Sequence, residues 1–254
     1  MKGVILAAGR GSRLGELTDD RPKCMVRLAG RPLLEWQRAA LTAAGVSPLA
    51  VVAGYRSEQF GDIGLRVFPA RRWAATNMVR SLLAASDWLA ADTCVVSYGD
   101  IVYSADVVRR LAAATGDLAI TYDPNWQALW SRRFEDPLTD AETFRLRPDG
   151  SLAAIGARPR AVQQIEGQYM GLLRFTPAGW ARVVGLLARH TDRQIDAMDM
   201  TALLQALVDD GCRVDAVACP EPWGEVDSAT DLGVCADLVA EGRLVFACGR
   251  EVRR

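Results

Sequence analysis

Histidine is almost missing from this chain: one residue in 254, His190. Paired-histidine nucleotidyl transfer, HExxH proteases and histidine-clustered metal sites therefore lack their parts. A Ser-His-Asp triad would have to use His190, which ends the helically spaced run 179–189 and is better placed to complement a helix dipole. Cysteine is sparse, at positions 24, 94, 212, 219, 235 and 248, with no CxxC pair. Zinc sites and disulfide scaffolds are excluded, and buried free thiols are expected. No long apolar run exists. The first, Val4 to Ala8, is too short to span a bilayer and meets charge at once, so neither a span nor a signal peptide is read and a cytoplasmic protein is expected. Surplus charge is also missing: 30 Lys and Arg against 31 Asp and Glu leave −1, which excludes nonspecific binding to nucleic acid or an anionic membrane.

What the chain does have is core-forming material, half of it being hydrophobic, enough for one large domain or two small ones. Short β-rich runs at 3–8, 49–53, 65–68, 93–98 and 117–122 alternate with helical patterns at 32–44, 77–90 and 104–114, the rhythm of a mostly parallel sheet. Beyond 122 comes a Trp- and Arg-rich segment. A hairpin is then predicted at 142–147 and 151–155 around Pro148-Asp149-Gly150, followed by a strand at 168–175, helices at 177–189 and 199–210, a strand at 213–218 and a helix at 228–240. No linker or repeat divides the chain, so the expectation is a single domain, 1–254, with a nucleotide-binding half (1–122) and a lid-like, acceptor-binding half (123–254).

The first strand runs into Leu6-Ala7-Ala8-Gly9-Arg10-Gly11-Ser12-Arg13-Leu14-Gly15, followed by Arg21-Pro22-Lys23. Small residues allow backbone N–H groups to approach an anion, and Ser12 adds a hydroxyl. The loop is neither a Walker A sequence nor a dinucleotide fingerprint, because no Gly-Lys-Ser/Thr follows and Leu14 stands where a third glycine belongs. The full string LAAGRGSRLGELTDDRPKCMV instead resembles the sugar-nucleotide-type nucleotidyltransferases, matching every fixed position of LAAG-x-G-x-R-L-x-x-L-T-x-x-x-P-K. That resemblance implies a GT-A-like Rossmann sandwich, helices on both sheet faces, a small β-rich acceptor-binding insertion, and transfer of a nucleotidyl group to an anionic acceptor. It implies backbone contacts to the nucleotide from Leu6, Ala7, Ala8, Gly9 and Gly11, with Arg13 and Lys23 on the phosphates as the catalytic cations.

Joining two phosphorus compounds means overcoming their mutual repulsion, so a divalent metal, Mg2+, is expected on carboxylates at strand ends. Asp100 follows the buried-strand pattern 93–98, where α/β proteins bind ligands. Asp227, in Trp223-Gly224-Glu225-Val226-Asp227, matches the family's late metal-binding aspartate; an N-cap of the last helix is the alternative. An ionised phosphate or phosphonate oxygen attacks without a general base, which accommodates the scarcity of histidine. Asn77 and Ser81, one turn apart, are candidates for base or sugar contact unless Thr76 or Asn77 is simply a cap. With Tyr98-Gly99-Asp100 they resemble the bacterial CTP:phosphocholine and 2-aminoethylphosphonate cytidylyltransferases, which implies CTP. For the acceptor, Asp123, Trp126, Trp130 and Arg133 offer aromatic faces, an acid and a guanidinium for an amino- or choline-bearing phosphate or phosphonate, although the tryptophans are equally spaced to pack a helix. Glu166, Tyr169 and Trp223 are further candidates. The rival readings are a sugar-1-phosphate nucleotidyltransferase using UTP, GTP or dTTP, a molybdopterin-type enzyme, and a catalytically silent nucleotide-binding regulatory subunit. Homodimer formation is left open.

Overall fold

A computed structural model describes residues 1–61 and 63–247. Its centre is a seven-stranded sheet of β1 (Lys2–Ala7), β2 (Leu49–Ala53), β3 (Arg66–Pro69), β4 (Cys94–Tyr98), β5 (Leu118–Asp123), β6 (Gln168–Phe175) and β7 (Asp215–Ala218). In space the order is β7-β5-β6-β4-β1-β2-β3. Only β6 runs against the others, pairing antiparallel with both β4 and β5.

The strands are apolar on both faces because both are covered. Along β1, Ile5 and Ala7 enter one core while Val4 and Leu6 enter the other; along β2, Val51 and Ala53 oppose Ala50 and Val52. This is the two-residue alternation of a pleated strand. Helices Leu33–Ala43, Ala105–Ala112, Trp126–Arg133 and Ala229–Ala240 cover the first face. Helices Met78–Leu83, Ser86–Ala91, Pro177–Leu187 and Met200–Asp209 cover the second. Each fully buried Leu, Ile, Val or Phe contributes about 1.5–3 kcal/mol relative to exposure, so the two cores dominate the stability of the sandwich.

The predicted strands and the hairpin Phe144–Leu146/Leu152–Ile155 are present. The helical pattern at 77–90 forms two helices, broken at Ala84–Ala85. The turn after β1 leads into a 3-10 stretch, Ser12–Thr18, kinked at Gly15, rather than an α-helix. The second half is more than a lid, since β6 from that half lies between two strands of the first. His190 follows helix Pro177–Leu187, its Nδ1 3.0 Å from the Leu186 carbonyl oxygen, which agrees with the helix-terminal role. Cysteines 24, 94, 212, 219 and 235 are buried and free; Cys248 lies outside the described residues. Among the described residues, no helix is long and apolar enough to cross a membrane.

Strand order places the site. The chain moves from β1 to β2 and β3 on one side, then returns to place β4 on the other. At that reversal the loops leaving the C-terminal ends of β1 and β4 diverge and open a crevice. The register pairs Leu6 with Tyr98, so the glycine loop and Gly99-Asp100 leave the sheet side by side. Gly99 is required by this closeness: a Cβ there would stand 2.6 Å from the Leu6 carbonyl oxygen. Gly99→Ala is expected to force the two strand ends apart and cost about 1–3 kcal/mol, read as a lower midpoint in denaturant unfolding; an unchanged midpoint would contradict the close approach.

Candidate active site

Lys23 is the hub of the crevice. Pro22 stops the chain before a short 3-10 turn, Lys23–Met25, and the lysine side chain crosses the glycine loop over Gly11. That glycine has φ +74°, and a Cβ on it would meet the Lys23 side chain at 2.7 Å; a left-handed, side-chain-free position is needed there. The Thr18 hydroxyl ties the loop by donating to the Gly11 and Gly15 carbonyls, each at 3.2 Å. Lys23 Nζ donates to Asp100 Oδ2 at 2.7 Å and to Asp227 Oδ1. Arg13 Nη2 lies 2.8 Å from the other Asp227 oxygen. Burial alone would push the Lys23 ammonium down, but the charges of Asp100 and Asp227 overcome it and hold the group above its ordinary value, so Lys23 carries a full charge throughout the neutral range.

Asp227 reaches this point by a short antiparallel pair, Ile101–Val102 with Gly224–Glu225, and by the Val226 N–H donating to the Asp100 carbonyl at 2.9 Å. It is not the helix cap: Ser228 is, in a capping box with Asp231. Extended backbone puts residues two apart on one face, so Glu225 joins the cluster. Asp100, Glu225 and Asp227 each offer an oxygen within 4.8 Å of the others, and Asp100 Oδ1 is buried without a hydrogen-bond partner. Glu225 was not among the residues selected from sequence; its spacing of two from Asp227 was the available signal. Burial, then the neighbouring Asp227 charge, pushes its carboxyl above the usual carboxylate range, against the pull of Arg133.

Two cavities meet here. The first, about 220 Å3, is lined by Leu6, Ala7, Ala8, Gly9, Gly11, Arg13, Lys23, Asn77, Ser81, Tyr98, Gly99, Asp100 and Asp227, with Trp73, Thr76 and Met78 in addition. Every sequence-selected nucleotide candidate except Ser12 is in that wall; Ser12 is exposed at the start of the 3-10 stretch. Asn77 is a helix cap, its side chain accepting from the Met78 N–H at 2.8 Å, and it lines this cavity as well.

The second cavity, about 250 Å3, shares Arg13, Met78, Tyr98 and Asp227 with the first and continues between Trp130, Tyr169, Phe144, Asp140, Glu142, Asp199 and Thr201. Of the acceptor candidates only Trp130 and Tyr169 reach it. Asp123 is buried away from it, accepting from Trp223 Nε1 at 3.0 Å and from the Asn125 N–H. Trp126 packs edge-on against Trp130, and Trp223 lies tilted against the same ring. Glu166 is exposed and accepts from the Leu146 N–H. Arg133 is buried, donating to Asp231 at 2.7 Å and standing 2.9 Å from Glu225. The Trp-rich helix is thus a packed support: four-residue spacing put Trp126 and Trp130 on its buried side. Asp140, Glu142 and Asp199 were not singled out, because isolated acids in the loop leading into the hairpin and at a helix cap carry no local pattern.

The family described as MobA-like NTP transferase domain matches residues 3–162. The CTP:phosphoglutamine cytidylyltransferase of Campylobacter jejuni is 35% identical over 250 residues, covering 92% of this chain and 98% of that protein. The 2-aminoethylphosphonate cytidylyltransferase of Lancefieldella rimae is 30% identical over 138 residues, 47% of this chain and 56% of that one. Among solved structures, the inositol-1-phosphate CTP transferase from T. maritima superposes with a TM-score of 0.75 at 20% identity over 97% of this chain and 98% of that one.

Arg133 gives the most direct test of how the cluster is held. Arg133→Met leaves two buried carboxylates without their cation, and a loss of about 3–5 kcal/mol is expected in urea unfolding at pH 7. Burial opposes ionisation of Asp231, but Arg133 holds its carboxyl below the ordinary 3.8. That stabilisation is complete above pH 3.8 and is lost as pH falls through the lower folded value. The gap between wild type and variant should therefore narrow on acidification below pH 3.8; a gap independent of pH would refute the ion pair.

Proposed function

The chain belongs to the MobA-like NTP transferase domain family of nucleotidyltransferases, and on that premise we propose that it moves CMP from CTP to a small phosphate or phosphonate acceptor, releasing pyrophosphate. The observation that carries this reading is the meeting of two cavities at one ion cluster, Lys23, Arg13, Asp100 and Asp227. A nucleotide cavity alone would suit a binding subunit; a second cavity opening on Arg13 and Asp227 of the same cluster gives an acceptor somewhere to stand. CTP is favoured by the relatives, above all the phosphoglutamine enzyme that covers nearly the whole chain. The first cavity is built from residues 6–100 and Asp227, and the second chiefly from residues 130–227, which supports a division of labour between halves of a single domain.

In this mechanism an ionised acceptor oxygen attacks the α-phosphorus of CTP in line. The new P–O bond forms as the bond to the β-phosphate oxygen breaks, and pyrophosphate leaves with the electron pair. No base is needed, since the attacking oxygen is already anionic. Lys23, fixed by two carboxylates and permanently charged, holds positive charge where negative charge accumulates; Arg13, exposed and lining both cavities, is placed to draw donor and acceptor phosphates together. The donor set fits a divalent cation: three carboxylate oxygens of the hard type Mg2+ takes, one of them a buried orphan. Asp100 and Asp227 would hold it, with Glu225 behind them. When bound, it would supply two further positive charges to a cluster in which Lys23, Arg13 and Arg133 face four acids, Asp100, Glu225, Asp227 and Asp231.

The test is a pyrophosphate-release screen with Mg2+, pairing CTP, UTP, GTP and dTTP with phosphoglutamine, phosphocholine, 2-aminoethylphosphonate, inositol 1-phosphate and glucose 1-phosphate. CTP with a non-sugar acceptor is expected to dominate; turnover confined to UTP or dTTP with glucose 1-phosphate would replace this reading with the sugar one. Lys23→Ala is expected to lower kcat by about 10²–10³-fold in a protein whose circular dichroism is unchanged, and near-normal turnover would remove Lys23 from the mechanism.

A further inference from the structure

One wall of the nucleotide cavity is held in place from the other half of the chain. Helix Met78–Leu83 has six residues, too few to be stable by itself, and the stretch before it has a single 3-10 turn, Trp73–Ala75. Yet this part of the chain supplies Trp73, Thr76, Asn77, Met78 and Ser81 to the cavity. Its fixed points lie in helix Asp192–Ala197 and the residue that follows. The Asn77 N–H donates to the Asp196 carbonyl at 2.7 Å, Asn77 Nδ2 to the Ala197 carbonyl at 3.3 Å, and the Val79 N–H to the Met198 carbonyl at 3.3 Å. Three successive carbonyls thus serve a helix start whose backbone N–H groups have no partner within the helix. The Asp196 side chain adds an ionic clasp. Its Oδ2 accepts from Arg72 Nη2 at 2.6 Å and its Oδ1 from Arg80 Nε at 2.6 Å. Arg72 and Arg80 stand on either side of residues 73–79, so one carboxylate closes both ends of the cavity-lining stretch. Arg72 is also tied to the wall by its carbonyl, which accepts from the Thr76 hydroxyl at 2.9 Å. With its side chain 17% exposed, Asp196 is less open to the screening that weakens surface pairs.

We infer that Asp196 is a positioning residue for the nucleotide, setting the wall at 73–81 through Arg72 and Arg80. This rests on the reading of the first cavity as the nucleotide site. None of the three side chains lines either cavity, so any effect they have on a ligand passes through the residues they hold. Without the carboxylate, Arg80 keeps Asp192 at 2.7 Å, but Arg72 has no second acid among the described residues. The stretch is then fastened near its middle by backbone bonds and left loose at the Arg72 end. Trp73, Thr76 and Asn77 no longer meet the ligand in one arrangement, and part of the binding free energy goes into ordering them. The loss falls on nucleotide affinity rather than on chemistry, because Lys23, Arg13, Asp100 and Asp227 are held by other elements.

The test titrates CTP, UTP, GTP and dTTP, each with Mg2+, into wild type, Asp196→Asn, Arg72→Gln and the double variant by calorimetry, alongside steady-state kinetics. For the triphosphate that wild type binds, Asp196→Asn is expected to raise the dissociation constant about three- to tenfold, with kcat at saturating nucleotide within about twofold of wild type. Arg72→Gln should weaken binding in the same direction, and the double variant should lose less than the sum of the two, since both substitutions break one contact. A dissociation constant less than about threefold above wild type in folded Asp196→Asn would overturn the inference. So would additive losses, or a fall in kcat at unchanged affinity, which is what a merely structural loss of active molecules produces. Arg72 is 58% exposed, so Arg72→Gln keeps the question open to measurement if Asp196→Asn does not fold; unchanged affinity in that variant also overturns the clasp. Wild type that binds no triphosphate would remove the nucleotide reading and this inference with it, whereas equal binding by wild type and variants removes this inference alone.

Discussion

Everything at the mouth of the sheet depends on one buried ammonium. Lys23 is 77 residues from Asp100 and 204 from Asp227, yet its nitrogen holds both carboxylates. A buried cation is tolerated only with anions beside it, and buried anions only with a cation, so each partner fixes where the others can be. The bond does not recommend itself as a source of stability, since desolvation of three charges offsets most of their attraction. Its effect is geometric: it draws the loop after β1, the end of β4 and a late segment of the chain to one point. That point falls where strand order reverses, the place in an open α/β sheet with room for a ligand.

A second layer keeps that point from drifting. Arg133 sits behind Glu225 and Asp231, and Asp231 in turn accepts from the N–H groups of Asp227 and Ser228. The position of Asp227 is therefore set from two directions, by Lys23 in front and by the start of the last helix behind. The tryptophans belong to this layer. Trp130 and Trp223 pack against each other, Trp223 donates to Asp123, and Arg133 covers the Trp130 ring, so the aromatic cluster has consumed its own cation and its own acid. Such a cluster gives a rigid wall rather than a cage for a visiting ion.

How much could be read from sequence varied with how local the cause was. Strands β1, β2 and β4 show because both faces are buried and apolar runs report that directly; the loop from Leu6 to Lys23 shows because close approach to phosphates constrains many neighbouring positions at once. Asp100 and Asp227 were legible through their strand-end setting and the family pattern. The wall of the second cavity was legible only at Trp130 and Tyr169. Glu142 and Asp199, which also line it, lie 57 positions apart, one just ahead of the strand Phe144–Leu146 and one at a helix cap, and the packing of the hairpin on helix Met200–Asp209 makes them neighbours. Trp126 and Trp130 stayed ambiguous for the complementary reason: four-residue spacing is what a buried helix face produces, and it reads the same whether the ring lines a cavity, as Trp130 does, or only packs on another ring, as Trp126 does. The break at Ala84–Ala85 was hidden because alanine continues a helical pattern whether or not the backbone does.

The charge layout at the junction divides the work of the domain. Arg13 and Asp227 belong to both cavities, while Lys23 and Asp100 line only the one built from residues 6–100 and Asp227. On the proposed reading a phosphate standing in either cavity meets the same guanidinium, and the attraction of one cation for two anions offsets part of their mutual repulsion at the point where they must approach. The first cavity then carries the chemistry common to any phosphorylated acceptor, and the side chains of the second, drawn chiefly from residues 130–227, are left to distinguish one acceptor from another.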